Sequence, residues 1–290
     1  MYRAIAANKR NTIFIMALFV GIVGALGWAV SLFYGETSIA YWVIGVTLVY
    51  TLIQYFAASK LALAMTGAHE IQKRDNPRLY RIVENLSITL GIQTPKIYII
   101  EDKAPNAFAT GRDPKHAVVA ATTGLLEIMD DRELEAVMAH EMGHVQNYDI
   151  RVSMIAFGLV SAIALISDIV MRMLFFGGDR RDVHPIVMLV GLVAVIIAPI
   201  AAMLVQFAIS RQREYLADAT GAMTTRDSEG MASALGKLKQ YGQPMKRQST
   251  STAHLFLNNP LKPGFFSKIF STHPPLDDRI KRLRDNAAKF

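Results

Sequence analysis

The chain has 290 residues, of which 52% are hydrophobic, and its mean hydropathy is +0.26. A soluble enzyme of this size is seldom so apolar, so we expect membrane-spanning segments. The formal net charge is +7, but no dense basic run alternates with aromatic residues, which argues against nucleic-acid binding and favours cationic flanks beside lipid headgroups. The absence of cysteine excludes disulfides and thiolate ligands, so a metal site would use His, Asp or Glu.

Four apolar stretches are long enough to cross a bilayer, which takes about 20 residues. They comprise residues 11–35, 37–59, 152–176 and 185–210. Lysines and arginines flank the first pair, but the link at Gly35-Glu36 has none, so the positive-inside rule places both ends of this hairpin in the cytoplasm. The link within the second pair contains Arg180 and Arg181, so that hairpin could cross fully, which we favour, or enter the membrane only partway.

A helix, three strands and a second helix are predicted between the two hairpins. The first helix starts at Pro77 and ends near Gly91, because proline suits the first helical position and glycine suits the C-terminal cap. The strands are expected at residues 96–100, 106–111 and 117–121, with a turn at 112–114. The second helix opens at Asp130 and Asp131, whose charges suit its positive end, and continues through His144.

The second helix carries the sequence HEMGH at residues 140–144. Residues four apart share one face of a helix, so His140 and His144 could bind one ion while Glu141 points beside it. Zinc held by two imidazoles and a carboxylate keeps a fourth position for water, whose pKa it lowers. Glu141 could take the proton of that water as it attacks a peptide carbonyl. The pattern predicts a metallopeptidase, with a chance match on an amphipathic helix as the alternative.

A third ligand is expected at Glu214, shortly after the fourth apolar stretch. Asp218 follows one helical turn later and could accept the free ring N–H of a ligand histidine, although a solvated charge cluster beside the membrane is an alternative. His144 precedes the third stretch and Glu214 follows the fourth, so an antiparallel hairpin would bring both to the same side of the membrane. The two halves of the site could then meet at one ion.

Four motifs together resemble the HtpX family of membrane zinc metallopeptidases, which is related to the CAAX prenyl endopeptidases. They are HEMGH at 140–144, SRQREYLAD at 210–218, NAFATG at 106–111 and THPPLDDRI at 272–280. The resemblance extends over essentially the whole chain. It implies an integral membrane, mainly α-helical protein, in which four transmembrane helices accompany an α+β, gluzincin-like zinc metalloprotease domain with a small sheet.

The resemblance and the apolar pattern divide the chain into four parts. These are an N-terminal transmembrane hairpin (1–60), a cytoplasmic protease block with the HEMGH helix (61–151), a second transmembrane hairpin (152–210) and a cytoplasmic block with the third zinc ligand and a C-terminal helix (211–290). The resemblance also implies a bacterial plasma (inner) membrane location, with the catalytic domain facing the cytoplasm. The oligomeric state is left open.

Individual residues acquire roles from the same resemblance. One Zn²⁺ per chain is held by His140, His144 and Glu214, and Glu141 is the catalytic base. An edge strand binds the substrate backbone through Asn106, Ala107, Phe108, Ala109 and Thr110. Such pairing depends little on side chains, which suits cleavage of misfolded or damaged membrane proteins and unfolded polypeptides in stress response and quality control.

Two features near the motifs permit two interpretations each. His273, held by Pro274 and Pro275, could donate a hydrogen bond to the oxyanion near the metal, or lie on the surface before a helix. Asn147 and Asp149 follow HEMGH closely and could support its histidines or be exposed polar residues.

Residues 240–263 are rich in Ser, Thr, Asn, Gly and Pro, so we expect a mobile loop there. His254 within it has no partner at ligand spacing and is not expected in the site. Two rivals to a quality-control protease are left open, namely a specific membrane processing peptidase and a non-enzymatic scaffold stabilised by structural zinc. A fourth protein ligand would favour the scaffold, and another divalent metal could replace zinc.

Overall fold

The computed structural model describes residues 2–159, 161, 211–249, 251–262 and 274–287. The predicted fourth span and most of the third lie outside the described residues, and so does His273. Within them the chain is mainly helical and contains one small mixed sheet.

Two long apolar helices begin the chain, α1 (Tyr2–Tyr34) and α2 (Ser38–Thr66). The windows Ala6–Ala25 and Ser38–Thr66 are long and apolar enough to cross a membrane. Only 22% and 17% of these windows are buried, which is not the pattern of a core helix in a soluble protein. These helices suggest a membrane protein and agree with the first predicted hairpin, although α2 extends beyond the predicted end.

The four-stranded sheet has the order β1-β2-β4-β3. Its strands are β1 (His69–Glu70), β2 (Lys96–Ile100), β3 (Ala107–Thr110) and β4 (Val118–Thr122). β4 pairs in parallel with β2 and antiparallel with β3, so β3 forms one edge of the sheet. The three predicted strands are confirmed to within two residues. β1 was not predicted, because two residues are too few to show an alternating pattern.

Seven further helices surround the sheet in the described part of the chain. They are α3 (Pro77–Leu90), α4 (Thr123–Ile128), α5 (Asp131–Gln146), α6 (149–159), α7 (Arg211–Thr225), α8 (Ser228–Tyr241) and α9 (Leu276–Asp285). α3 begins where Asn76 accepts a hydrogen bond from the Leu79 N–H, and it ends at Gly91, whose φ is +65°. α5 begins with a capping box between Asp130 and Glu133. Both predicted helix starts are confirmed.

Two hydrophobic cores hold these elements together. One packs α3, α5 and α8 on the sheet, through residues such as Leu79, Val137 and Leu235. The other joins the N-terminal hairpin to α6 and the sheet, with Phe19 of α1 and Phe157 of α6 among its members. The hairpin therefore packs directly on the sheet and on the helix that follows HEMGH.

The described residues between 242 and 262 are irregular, with residues 242–244 and 246–248 exposed and residues 251–257 buried. The Met245 N–H donates to the Pro260 carbonyl oxygen, and the Lys246 N–H donates to the Asp102 carboxylate. Phe256 is buried against Phe108, with ring centroids 5.1 Å apart. The predicted loop is confirmed in its lack of long helices and strands, and its mobility stays a prediction, although Met245, Leu255 and Phe256 lie in the second core.

Candidate metal centre

α5 places the two histidines of HEMGH on one face, one turn apart. The Nε2 atoms of His140 and His144 lie 3.2 Å from each other, and the rings are nearly perpendicular at 88°. His140 is 1% exposed, because the helix runs through the first core. Both Nε2 atoms thus converge on one point, as the four-residue spacing predicted.

Glu214 reaches the same point from α7. Its Oε2 lies 3.8 Å from His140 Nε2, and its Oε1 lies 3.5 Å from His144 Nε2. The three donor atoms fall within 4.8 Å of one another, a separation at which they could hold one metal ion. Gly221 lets the helices approach closely, since a Cβ there would lie 3.1 Å from the His140 backbone nitrogen.

A buried ion pair holds the outer nitrogen of His140. Its Nδ1 lies 2.9 Å from Oδ1 of Asp218, as the sequence predicted for this residue. Arg279 of α9 donates two hydrogen bonds to the same carboxylate, at 2.9 and 2.6 Å, and is 0% exposed. Burial opposes ionisation of Asp218, but the arginine outweighs it and lowers the pKa of this carboxyl to about 2.

A second carboxylate holds the outer nitrogen of His144. Its Nδ1–H donates to Oδ2 of Asp149 at 3.0 Å, and Arg213 lies 3.8 Å from the other carboxylate oxygen. Asp149 is buried, so the supporting interpretation of this residue is correct. Asn147 is also buried, and its backbone oxygen accepts a hydrogen bond from the side chain of Asn8.

The electrostatics of the cluster favour a cation. Burial favours the neutral form of His144, yet the hydrogen bond to Asp149 and the charges of Glu214 and Glu141 raise the pKa of this imidazole to about 9. The same carboxylate charges would also attract a metal ion to this point. The donor set of two imidazoles and one carboxylate, each imidazole braced by a second carboxylate, fits zinc.

A cleft runs beside these donors, and Glu141 lines it together with Ala109 of β3. Glu141 is 3% exposed. His254 lines the same cleft, and its Nε2–H donates to the Ser153 carbonyl oxygen at 3.1 Å. The expectation that His254 lies away from the site is therefore wrong.

Four of the five residues predicted to bind substrate form the edge strand β3, and Asn106 immediately precedes it. Asn106 holds the segment of residues 242–262, donating to the Asn258 carbonyl oxygen at 2.7 Å. The Leu257 N–H donates to the Ala107 carbonyl oxygen, and Phe108 is buried in the second core. Backbone groups alternate along a strand, so those of Ala109 point the same way as those of Ala107. In the described part of the chain, only Leu257 pairs with this outer edge.

The structure thus brings together His140, Glu141, His144, Glu214 and Asp218, whereas His273 lies outside the described residues. Arg279 was not predicted. It belongs to the THPPLDDRI motif, which is its only signal, because nothing in a helix of alternating charges marks one arginine as buried.

Comparisons with known proteins identify relatives along the whole chain. Residues 73–287 match the model of peptidase family M48. The chain is 55% identical to a protein named protease HtpX homolog from Tropheryma whipplei (strain Twist), over the full length of both. It is 41% identical to a protein of the same name from Streptococcus gordonii, covering 98% of this chain and 99% of the relative.

Among solved structures, the chain is similar in fold to the crystal structure of S. mikatae Ste24p. The TM-score is 0.51, with 21% sequence identity, and the match covers 93% of this chain. The chain spans 61% of the length of that structure.

Proposed function

We propose that one zinc ion is held by His140, His144 and Glu214. The chain belongs to peptidase family M48 and is therefore a metalloprotease. One observation carries this proposal, namely the convergence within 4.8 Å of three donors, of which His140 and Glu214 are buried and His144 is partly buried. Asp218 and Asp149 hold the outer ring nitrogens, so both imidazoles present their Nε2 lone pairs inward. Such a three-ligand set is typical of catalytic zinc, whereas structural zinc has four protein ligands.

Peptide-bond hydrolysis follows from the position of Glu141 beside the donors. A zinc ion held there would supply Lewis acidity, polarising the scissile carbonyl and lowering the pKa of a water molecule. The Glu141 carboxylate accepts the proton as the water attacks, and it delivers that proton to the leaving amine. Its burial in the cleft excludes bulk solvent and keeps this proton transfer local. His273, as the sequence predicts, would donate a hydrogen bond to the oxyanion.

The substrate backbone pairs with the outer edge of β3 at Ala109. This residue lines the cleft beside Glu141, and its outward backbone groups are aligned with the Ala107 carbonyl that Leu257 already occupies. An extended peptide bound there extends the sheet by one strand, largely regardless of its side chains. We therefore assign broad endopeptidase activity on misfolded or damaged membrane proteins, with the cleft on the cytoplasmic side of a bacterial plasma membrane.

The decisive test combines zinc analysis with cleavage of an unfolded polypeptide by the purified protein. Glu141→Gln should retain zinc and lose about 10²–10⁴-fold in rate, because only the proton acceptor is removed. Glu214→Ala should lose zinc. The matched control is Glu135→Gln on the same helix, which should change neither quantity. A Glu141→Gln protein that cleaves at the wild-type rate, or a Glu214→Ala protein with unchanged zinc content, would overturn the assignment.

Cleavage-site profiling separates quality control from specific processing. Scattered sites in an unfolded membrane substrate are expected, since pairing at Ala109 reads the backbone. Cleavage at one position only, in several unrelated substrates, would support the processing peptidase instead.

A further inference from the structure

Asn8 of α1 contacts residues that support the candidate metal centre. Its side chain is 3% exposed, although it lies within the apolar window Ala6–Ala25. Its Nδ2 donates to Oδ1 of Asp149 at 2.6 Å and to the Asn147 carbonyl oxygen at 2.8 Å. Both N–H groups of one amide are thereby used on the turn that follows the HEMGH helix. A buried amide in an apolar helix is costly unless it is satisfied, and here both donors are satisfied.

Asp149 connects this amide to a proposed zinc ligand. Its Oδ1 accepts from Asn8 and its Oδ2 accepts from His144 Nδ1, so the two contacts fix the carboxylate plane from opposite ends. The orientation of that carboxylate decides which way the imidazole faces, because a linear hydrogen bond to Nδ1 aims Nε2 at the metal. Arg213, at 3.8 Å, adds charge but is too distant for a hydrogen bond.

The surrounding contacts hold α1 against this turn. Tyr148, in the turn, adopts a positive φ of 62°. The Lys9 ammonium lies 4.8 Å from the centre of its ring, and the Arg151 guanidinium lies 5.0 Å from it. Further along α1, Ile15 and Phe19 are buried in the core shared with α6. The packing of α1 therefore holds Asn8 in place beside Asp149.

We propose that Asn8 is a positioning residue of the metal centre, so that the first apolar helix is part of the active site as well as a membrane segment. The inference rests on the proposed zinc ligands. Asn8 acts through Asp149, and without its amide the carboxylate rotates and His144 loses its fixed orientation. Zinc binding therefore depends on the docking of α1.

The test measures zinc affinity of the full-length protein by competition with a chelator, together with thermal unfolding of the metal-free form. Asn8→Leu, which keeps the branching and the number of heavy atoms but has no donor, should weaken zinc binding about tenfold, at the lower end of effects for residues that support metal ligands. Asn8→Ser, which keeps one donor, should lie between it and the wild type. Asn11→Leu on the same helix is the matched control and should leave zinc affinity unchanged.

A double-mutant cycle then establishes the route of the effect. In an Asp149→Ala background, Asn8→Leu should cause little further loss of zinc affinity, because the carboxylate it orients is already gone. Full additivity would contradict action through Asp149. Unchanged zinc affinity in a folded Asn8→Leu protein would overturn the proposal, as would loss of folding in both Asn8 variants but not in Asn11→Leu. If Glu214→Ala also leaves zinc binding intact, the proposed ligand set fails instead.

Discussion

His140 and His144 lie one turn apart on α5, yet different regions of the molecule hold their outer nitrogens. His140 rests on the Asp218–Arg279 ion pair, which α7 and α9 provide inside the catalytic part. His144 rests on Asp149, whose other partner is a neutral amide from the apolar hairpin. The side chain of His140 is 1% exposed and that of His144 is 15% exposed. We infer that the support of His140 by the Asp218–Arg279 pair is coupled to folding of the catalytic part. The support of His144 by Asp149 instead couples the metal site to the apolar helices.

The largest expected effect comes from breaking the ion pair at Arg279. Arg279→Met should destabilise the metal-free protein by about 3–5 kcal/mol, because it leaves the buried Asp218 carboxylate without its counter-charge. Urea unfolding with a chelator present measures this loss. Asn8→Leu should cost less than Arg279→Met, since it removes a neutral donor.

The double variant Asp218→Leu with Arg279→Met sharpens this contrast. It should recover much of the lost stability, since both charges have gone, while zinc affinity stays low. If Asn8→Leu destabilises the metal-free protein more than Arg279→Met does, the contrast between the two supports is wrong.

A smaller effect is expected at the contact between α5 and α7. In Gly221→Ala the new Cβ would lie 3.1 Å from the His140 nitrogen, so α7 must move outward by a few tenths of an ångström. We expect a loss of about 1–3 kcal/mol in stability and weaker zinc binding, because α7 carries both Glu214 and Asp218.

Gly236→Ala on α8 is the matched control for Gly221→Ala. A Cβ at Gly236 meets nothing within 4 Å, so alanine should stabilise that helix by about 0.5–1 kcal/mol. Equal behaviour of the two variants in unfolding and zinc titration would show that the close approach at Gly221 does not position the site.

The smallest expected effect is a pH dependence of stability that comes from the start of α5, the helix that carries both histidines. Burial alone would raise the pKa of the Glu133 carboxyl, but Lys237 at 2.6 Å, Ser233 and the Asp130 N–H hold it below its usual 4.5. The unfolded chain therefore takes up this proton at a higher pH than the folded chain. Its contribution to stability is present above pH 4.5 and is lost as pH falls through the lowered pKa.

Unfolding of the metal-free protein across this pH range tests the assignment. The stability difference between the wild type and Glu133→Gln should shrink as the solution becomes more acidic. Glu135→Gln, on the same helix, should show no such convergence. A difference that is constant with pH would mean that the Glu133 carboxylate gives no pH-dependent support.

Local features were predictable because their physics is local. The caps at Asn76, Gly91 and Asp130 satisfy backbone groups within a few residues, and the sequence contains both partners of each interaction. The convergence of His140 and His144 follows from helix periodicity alone. Glu214 required one further step, the antiparallel course of the intervening segments, and the structure places its carboxylate beside both imidazoles.

The contacts that escaped prediction join residues far apart in the chain. Asn8 and Asp149 are separated by 141 positions, and Arg279 and Asp218 by 61. Asn8 and Arg279 look like ordinary exposed residues in the sequence pattern, because no periodicity marks either one as buried. His254 escaped for the same reason, since its polar segment is held in place by packing against β3 rather than by its own composition.

The sequence by itself determined the helix that carries HEMGH, Glu214 as the candidate third ligand, the edge strand and the apolar helices at the start of the chain, because each depends on spacing, capping or continuous hydrophobicity. Only the tertiary structure decided which side chains brace the two histidines and which part of β3 is left for a partner. These contacts depend on which buried charges and amides come together when distant helices pack. Local sequence patterns do not predict contacts between residues so far apart in the chain.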